Sequence, residues 1–262
     1  MNLRFDHKTA LITGAAGAIG KSIAQGFAEG GARVFITDIA KDGVDQAVAQ
    51  LLATGARAAG LAADITREAE VEAVVAAAAQ FGDGAVDILV NVAGVVGQGK
   101  VEEITEAEWD RIFDVNCKGS FFFTKHVVPL MKTKQYGKIV NFSSKSGKTG
   151  SALMSPYSAA KAAVIGFTQA LAYELADSGI TVNCLCPGIT DHTGVWSNVS
   201  AGYIQNLGKS REDVVKQFTA KVPLKRLAQI ADLVAVTLFM ASSGADYMTG
   251  QAINVTGGRE MH

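Results

Sequence analysis

T-A-L-I-T-G-A-A-G-A-I-G-K-S-I-A-Q-G-F-A-E-G-G-A-R-V-F-I-T-D, residues 9–38, is the stretch that decides the architecture. It reads as an apolar strand (9–13), a glycine turn, a helix from about Ala18 to Gly30, and a second apolar strand (33–38). Outward from it the same alternation continues. A helix is expected from about Gly43 to Thr54, a weaker strand over 58–64, and an Ala/Val-rich helix from about Arg67 to Phe81. V-D-I-L-V-N (86–91) reads as a strand, and a long helix follows from Glu106 to Lys132. Its cap is Thr105, with Glu108 three residues on. Then come a strand (138–142), a helix from Tyr157 to Ser178, the strand T-V-N-C-L-C (181–186), helices near 211–221 and 230–241, and a last strand A-I-N-V (252–255). Apolar strands alternating with helices imply an α/β protein, a doubly wound parallel sheet with helices on both faces.

Composition narrows the function classes. The 262 residues are 48% hydrophobic with only 4 Pro, enough for one large core, so residues 1–262 are read as one domain. The net charge is −1 and the basic residues are scattered, which points away from nucleic acid and anionic membranes as partners. No apolar run approaches the ~20 residues of a membrane span, and M-N-L-R-F-D-H-K lacks a signal-peptide apolar region. A cytoplasmic location is the expectation. Cys117, Cys184 and Cys186 are too few for a disulfide framework, and Cys184 and Cys186, which share one face of a strand, read as buried apolar thiols. His7, His126, His192 and His262 show no metal-ligand spacing, so no metal is expected. A polar, Gly-containing insertion, Thr190–Ser210, interrupts the pattern. With the helix after it, 190–221 is a candidate substrate lid.

The chemistry begins at the first turn. In T-G-A-A-G-A-I-G (13–20), Gly14, Gly17 and Gly20 permit a tight turn and close approach of backbone to a pyrophosphate, beside Ile19. The helix start offers free N–H groups and a positive dipole end. Asp38, eighteen positions after Gly20 at the end of the next strand, can accept both adenosine-ribose hydroxyls and would repel a 2′-phosphate. No Arg follows it, although Lys41 is close, so NAD is expected over NADP. Asp64 and Ile65 would border the adenine. N-V-A-G, with Asn91, Ala93 and Gly94, lets the dinucleotide cross the sheet. Pro187 and Gly188, followed by Ile189 and Thr190, would turn the chain around the nicotinamide. This is a Rossmann-type cofactor end.

The second constellation lies at S-K-S-G-K-T-G-S-A-L-M-S-P-Y-S-A-A-K, 144–161. Tyr157 and Lys161, four apart on a helix, share one face, and Ser144 closes the preceding strand. A free phenol titrates near ~10, and a neighbouring ammonium is expected to lower that value and make Tyr157 a usable acid/base. Ser144 would hold an alcohol or carbonyl oxygen while Tyr157 moves its proton. Asn116, mid-helix among apolar neighbours, needs a hydrogen-bond partner.

T-G-x-x-x-G-x-G at 13–20, N-x-A-G at 91–94, Asn116, Ser144, Y-x-x-x-K at 157–161 and P-G at 187–188, in that order, resemble the short-chain dehydrogenase/reductase family in its single-domain, NAD(P)-dependent form. The resemblance spans essentially the whole chain. It implies that Tyr157 is the catalytic acid/base, that Ser144 positions substrate, that Lys161 binds the nicotinamide ribose and lowers the tyrosine pKa, and that Asn116 holds a relay water. Val92 departs from the family's usual second Asn, and either Thr190 or Thr193 is available to touch the carboxamide. Within the family, S-K-S-G-K-T-G, K-V-P-L-K-R (221–226) and T-G-Q-A-I-N-V-T-G-G (249–258) resemble bacterial sugar-alcohol dehydrogenases of the sorbitol-6-phosphate, sorbitol and galactitol kind. That implies oxidation of a polyol, or polyol phosphate, to a ketose. A 3-oxoacyl or hydroxy-acid/ketone reductase and a non-catalytic NAD-binding sensor are the alternatives. Lys145 and Lys148 flank the expected pocket, where they would meet a phosphate or acidic group, and Trp196 and His192 would cover the substrate. Ala159, Ala160, Ala162, Ala163 and Gly166 give the Tyr157 helix small side chains, and family members commonly pair this helix. A homotetramer with two-fold axes is the expectation.

Overall fold

A computed structural model describes residues 3–194, 196 and 210–262. Seven parallel strands form one sheet in the order β3-β2-β1-β4-β5-β6-β7. They are β1 (Thr9–Thr13), β2 (Arg33–Asp38), β3 (Arg57–Ala62), β4 (Ile88–Asn91), β5 (Gly137–Phe142), β6 (Ile180–Pro187) and β7 (Ala252–Val255). The helices are α1 (Ala18–Glu29), α2 (Lys41–Ala53), α3 (Glu68–Phe81), α4 (Glu106–Phe113), α5 (Gly119–Lys134), α6 (Lys145–Thr149), α7 (Ser155–Leu175), α8 (Arg211–Thr219) and α9 (Ile230–Ala241).

β1 pairs with β2 on one side (Ala10 opposite Val34) and with β4 on the other (Ala10 opposite Ile88). From β1 the chain winds outward through β2 and β3, then crosses to β4 and winds the opposite way. The reversal opens a crevice at the carboxyl ends of β1 and β4, where ligands of doubly wound sheets bind. Side-chain alternation builds a core on each face. Ile12, Ile36 and Val90 pack with Ile23 and Phe27 of α1, Leu51 of α2 and Leu233 of α9. Leu11, Leu89 and Ile139 pack with Val74 of α3, Phe123 of α5 and Leu175 of α7. Strands buried on both faces are therefore apolar throughout rather than alternating.

Several boundaries differ from the sequence reading for local reasons. β3 stops at Ala62 because the Asp64 carboxylate turns back on Thr66, accepting from its N–H at 2.9 Å and its hydroxyl at 2.7 Å. The long helix does start at the Thr105 cap, which accepts from Glu108 N at 3.2 Å, but a π-helical turn, Asp114–Lys118, splits it. The stretch after Ser144, to which the sequence reading assigns no element, contains α6. α7 begins two residues early with Pro156 in its first turn, a position that tolerates the missing N–H. It ends at Leu175, followed by a 3-10 turn over Ala176–Ser178. Cys184 and Cys186 are free and buried beside Val164. Among the described residues no helix is long and apolar enough to cross a membrane. Of the candidate lid, Val195 and residues 197–209 lie outside the described residues.

Candidate active site

The turn after β1 is shaped by close backbone approach. Gly14 has φ +67°, and a Cβ there would sit 2.8 Å from the backbone of Ala93. A Cβ on Gly20 would meet the Gly14 carbonyl oxygen, which brings α1 hard against the turn. No side chain caps α1 at Gly17, so its first N–H groups are left to bind an anion. Thr13 Oγ1 accepts from Val92 N at 3.0 Å and Ala93 N at 3.1 Å, tying the N-V-A-G turn to β1. The Asp38 carboxylate is oriented by two backbone donors, Ala16 N at 3.0 Å and Ala40 N at 3.2 Å. These features fit a dinucleotide: a cradle that only glycine permits, uncapped amides for a pyrophosphate, and a fixed carboxylate for a ribose.

At the other end, β5, α6, α7 and the chain after β6 enclose a cavity of about 430 Å³. That is within the range of ~300–1,000 Å³ usual for small-molecule sites. Ser144, Tyr157, Lys161 and Asn116 all line it, as do Ile19, Gly94, Pro187, Gly188, Ile189, Thr190, Thr193 and Trp196. Tyr157 and Lys161 thus share one wall, as their spacing implies, with the ammonium 5.8 Å from the phenol ring centroid.

Their electrostatics differ from the expectation. Burial pushes the Tyr157 phenol up from its ordinary value, and hydrogen bonding with Ser144 pulls the other way. Burial also brings Lys161 down to about 8. Desolvation disfavours the charged form of each group and outweighs the mutual attraction that the sequence suggests. Lys161 Nζ donates to the Phe142 carbonyl at 2.8 Å. Ser144 caps α6, accepting from Ser146 N at 3.1 Å. The neighbouring Ser143 donates to the Lys161 carbonyl at 2.7 Å, locking α7 onto β5.

Asn116 finds its partners. Its amide donates to the Val95 carbonyl at 2.8 Å and the Ile112 carbonyl at 2.9 Å, and its Oδ1 accepts from Val95 N at 3.3 Å. Taking the Ile112 carbonyl, this side chain sits within the π-turn, a distortion that recurs at functional sites. Gly94 makes room, since a Cβ there would lie 2.7 Å from Asn116 Oδ1 and 3.2 Å from Lys161 Nζ.

Other candidates fall elsewhere. Asn91 lies beneath the crevice and donates to Asn141 Oδ1 at 2.9 Å. Ile65 is buried against Gly119. Lys145 lines the cavity, but Lys148 does not; its ammonium donates to the Ala252 carbonyl at 2.7 Å. His192 is exposed, faces Asp191 and is not part of the cavity wall, whereas Trp196 is. The sequence reading missed Met154, Gln217, Phe218, Lys221 and Arg259 as lining residues. The available signal for Arg259 was the preceding Gly257-Gly258 pair, with φ +64° and +88°, which folds the chain back after β7.

The profile of the family described as short chain dehydrogenase matches residues 8–203. The chain belongs to the short-chain dehydrogenase family. It is 38% identical over 261 residues to galactitol 2-dehydrogenase of Agrobacterium fabrum, covering 99% of this chain and 100% of that one. It is 36% identical over 260 residues to sorbitol dehydrogenase of Cereibacter sphaeroides, again over 99% and 100%. The crystal structure of an actinorhodin polyketide ketoreductase variant with NADPH matches this dehydrogenase with a TM-score of 0.93 at 36% identity, covering 97% and 98% of the two chains. This short-chain dehydrogenase is therefore an oxidoreductase of the nicotinamide-dependent kind. That sets aside the non-catalytic sensor.

Proposed function

We propose that this enzyme oxidises a secondary hydroxyl of a sugar alcohol or sugar-alcohol phosphate to the ketone, reversibly and with NAD. The observation that carries the reading is the buried Ser144–Tyr157–Lys161 group on one wall of a cavity that Ile19 of the glycine turn also lines. NAD bound there supplies the hydride acceptor. Ser144 and the Tyr157 hydroxyl hold the reacting oxygen, and Tyr157 takes the substrate proton as it releases its own to the relay through Lys161, since burial disfavours a standing phenolate. Burial lowers Lys161 to about 8, nearer neutrality than a free lysine, which suits a group that relays a proton. A relay water at Asn116 would be bound at Oδ1, because both amide hydrogens are committed.

NAD over NADP rests on Asp38, whose carboxylate is fixed where an adenosine ribose would lie. Lys41, the nearby cation, is salt-bridged to Asp45 at 2.5 Å. Thr190 is the better carboxamide partner. Thr193 Oγ1 donates to the Thr190 carbonyl and accepts from Trp196 N, while Thr190 Oγ1 only donates, to Gly188 O. For assembly, Ala162, Gly166 and Tyr173 form an exposed stripe of α7, with open space over Gly166. A second copy of α7 would pair along this stripe in a homotetramer.

The sugar-alcohol relatives favour a polyol, and the polyketide ketoreductase likeness favours reduction of a 3-oxoacyl thioester. Asp38 argues against the second, since the carboxylate repels the 2′-phosphate of NADPH. The test is NADH formation across hexitols, hexitol phosphates and 3-hydroxyacyl thioesters, with wild type and Tyr157→Phe. Turnover of a polyol with NAD, reduced ~10²–10⁴-fold in Tyr157→Phe with NAD affinity within about twofold, is expected. Turnover of thioesters alone, or an active Tyr157→Phe, contradicts the proposal.

A further inference from the structure

The described lining of the cavity contains no Asp or Glu, yet it includes three cations besides Lys161: Lys145, Lys221 and Arg259. They come from α6, from the end of the α8 segment and from the tail after β7. They lie near enough that Arg259 and Lys221 both act on the Lys145 ammonium, with Glu260 acting in the opposite sense. Glu260 is the nearby carboxylate, and its contact with Arg259 Nε is long, 3.7 Å. Among the described residues, Arg259 Nη1 is buried with no hydrogen-bond partner. Its guanidinium lies over the Phe218 ring, 5.7 Å from the centroid. Trp196 Nε1, on another lining residue, is also a buried donor without a partner among the described residues. Buried donors are normally satisfied, and like charges gathered around one space are unfavourable unless an anion joins them. The cofactor's pyrophosphate has its own cradle at Gly14–Gly20, so these donors belong to the substrate.

We infer that Lys145, Lys221 and Arg259 form an anion site in the substrate cavity, and that the polyol oxidised here carries a carboxylate or a phosphate away from the reacting hydroxyl. A planar guanidinium fork matches either group with two parallel hydrogen bonds. The inference rests on the proposed polyol oxidation and sharpens its substrate class. It also replaces the expected Lys145–Lys148 pair, since Lys148 is committed to the Ala252 carbonyl.

The test compares one hexitol in three forms, neutral, 6-phosphate and the corresponding aldonate, by kcat/KM with saturating NAD. One charged form is expected to exceed the neutral one by at least about tenfold, and which one it is separates phosphate from carboxylate. Its KM should rise with added NaCl as screening increases. Arg259→Met should lose at least about tenfold more kcat/KM on the charged form than on the neutral hexitol. Lys221→Ala, at an exposed position that folding does not need, should show the same bias at about threefold. Equal kcat/KM for neutral and charged forms, or equal losses in both variants, overturns the anion site and leaves polyol oxidation standing. Absence of turnover on all three forms defeats polyol oxidation instead. The melting temperature with NAD present then decides the anion site. A rise with the hexitol phosphate or aldonate in wild type, absent in Arg259→Met, supports it, and no rise overturns it.

Discussion

Lys161→Met tests whether burial governs the centre of this site. The wild-type ammonium is buried and its pKa is brought from 10.5 to about 8. At about 1.4 kcal/mol per pH decade, that fall corresponds to ~3 kcal/mol of destabilisation by the charged form. The direction follows from proton counting. Between about pH 8 and 10.5 the unfolded chain still binds the lysine proton while the folded chain has released it, so stability from this group rises with pH across that window and is level below it. Met keeps an unbranched apolar stem and removes the charge. It also removes the donor to the Phe142 carbonyl, a loss of ~1–2 kcal/mol that changes little with pH. The stability difference, wild type minus variant, should therefore move by ~3 kcal/mol in favour of wild type from about pH 7 to about pH 10.5. Urea unfolding followed by circular dichroism, at matched protein concentration because assembly adds to stability, measures it. A difference that stays level over this range would refute the reasoning, because Lys161 would then titrate as an ordinary exposed lysine.

Three further outcomes are expected. Asp38→Ala combined with Ile39→Arg, an exposed neighbour, should raise the NADP/NAD ratio of kcat/KM at least about tenfold; a wild type that already prefers NADP would contradict the electrostatic argument. Asn116→Ala removes two donated and one accepted hydrogen bond and strands the Val95 and Ile112 carbonyls. It should cost ~2–3 kcal/mol in urea unfolding, and a loss under about 0.5 kcal/mol would show that the π-turn does not depend on this side chain. Light scattering should give a tetramer, and replacing Gly166 with a bulky residue such as Trp should dissociate it; a monomeric wild type removes the proposed α7 pairing.

Much of this protein is legible in short stretches of chain. Strand–turn–helix periodicity, the glycines at 14, 17 and 20, Asp38 at a strand end and the four-residue spacing of Tyr157 and Lys161 are local properties. They need only a helix pitch, a pleat and a backbone that glycine can bend. Tertiary structure decided what depends on distant neighbours. The Tyr157 phenol rises rather than falls because both it and Lys161 are enclosed by β5, α7 and the chain after β6, and desolvation is a property of that enclosure. Asn116 takes a π-turn because Val95, twenty-one residues earlier, faces it. Lys148 caps β7 instead of the cavity, while Arg259, almost at the chain's end, reaches the cavity because β7 lies beside β6. Charge and hydrogen-bond capacity are written in the sequence, but their energies are set by what the fold places around them.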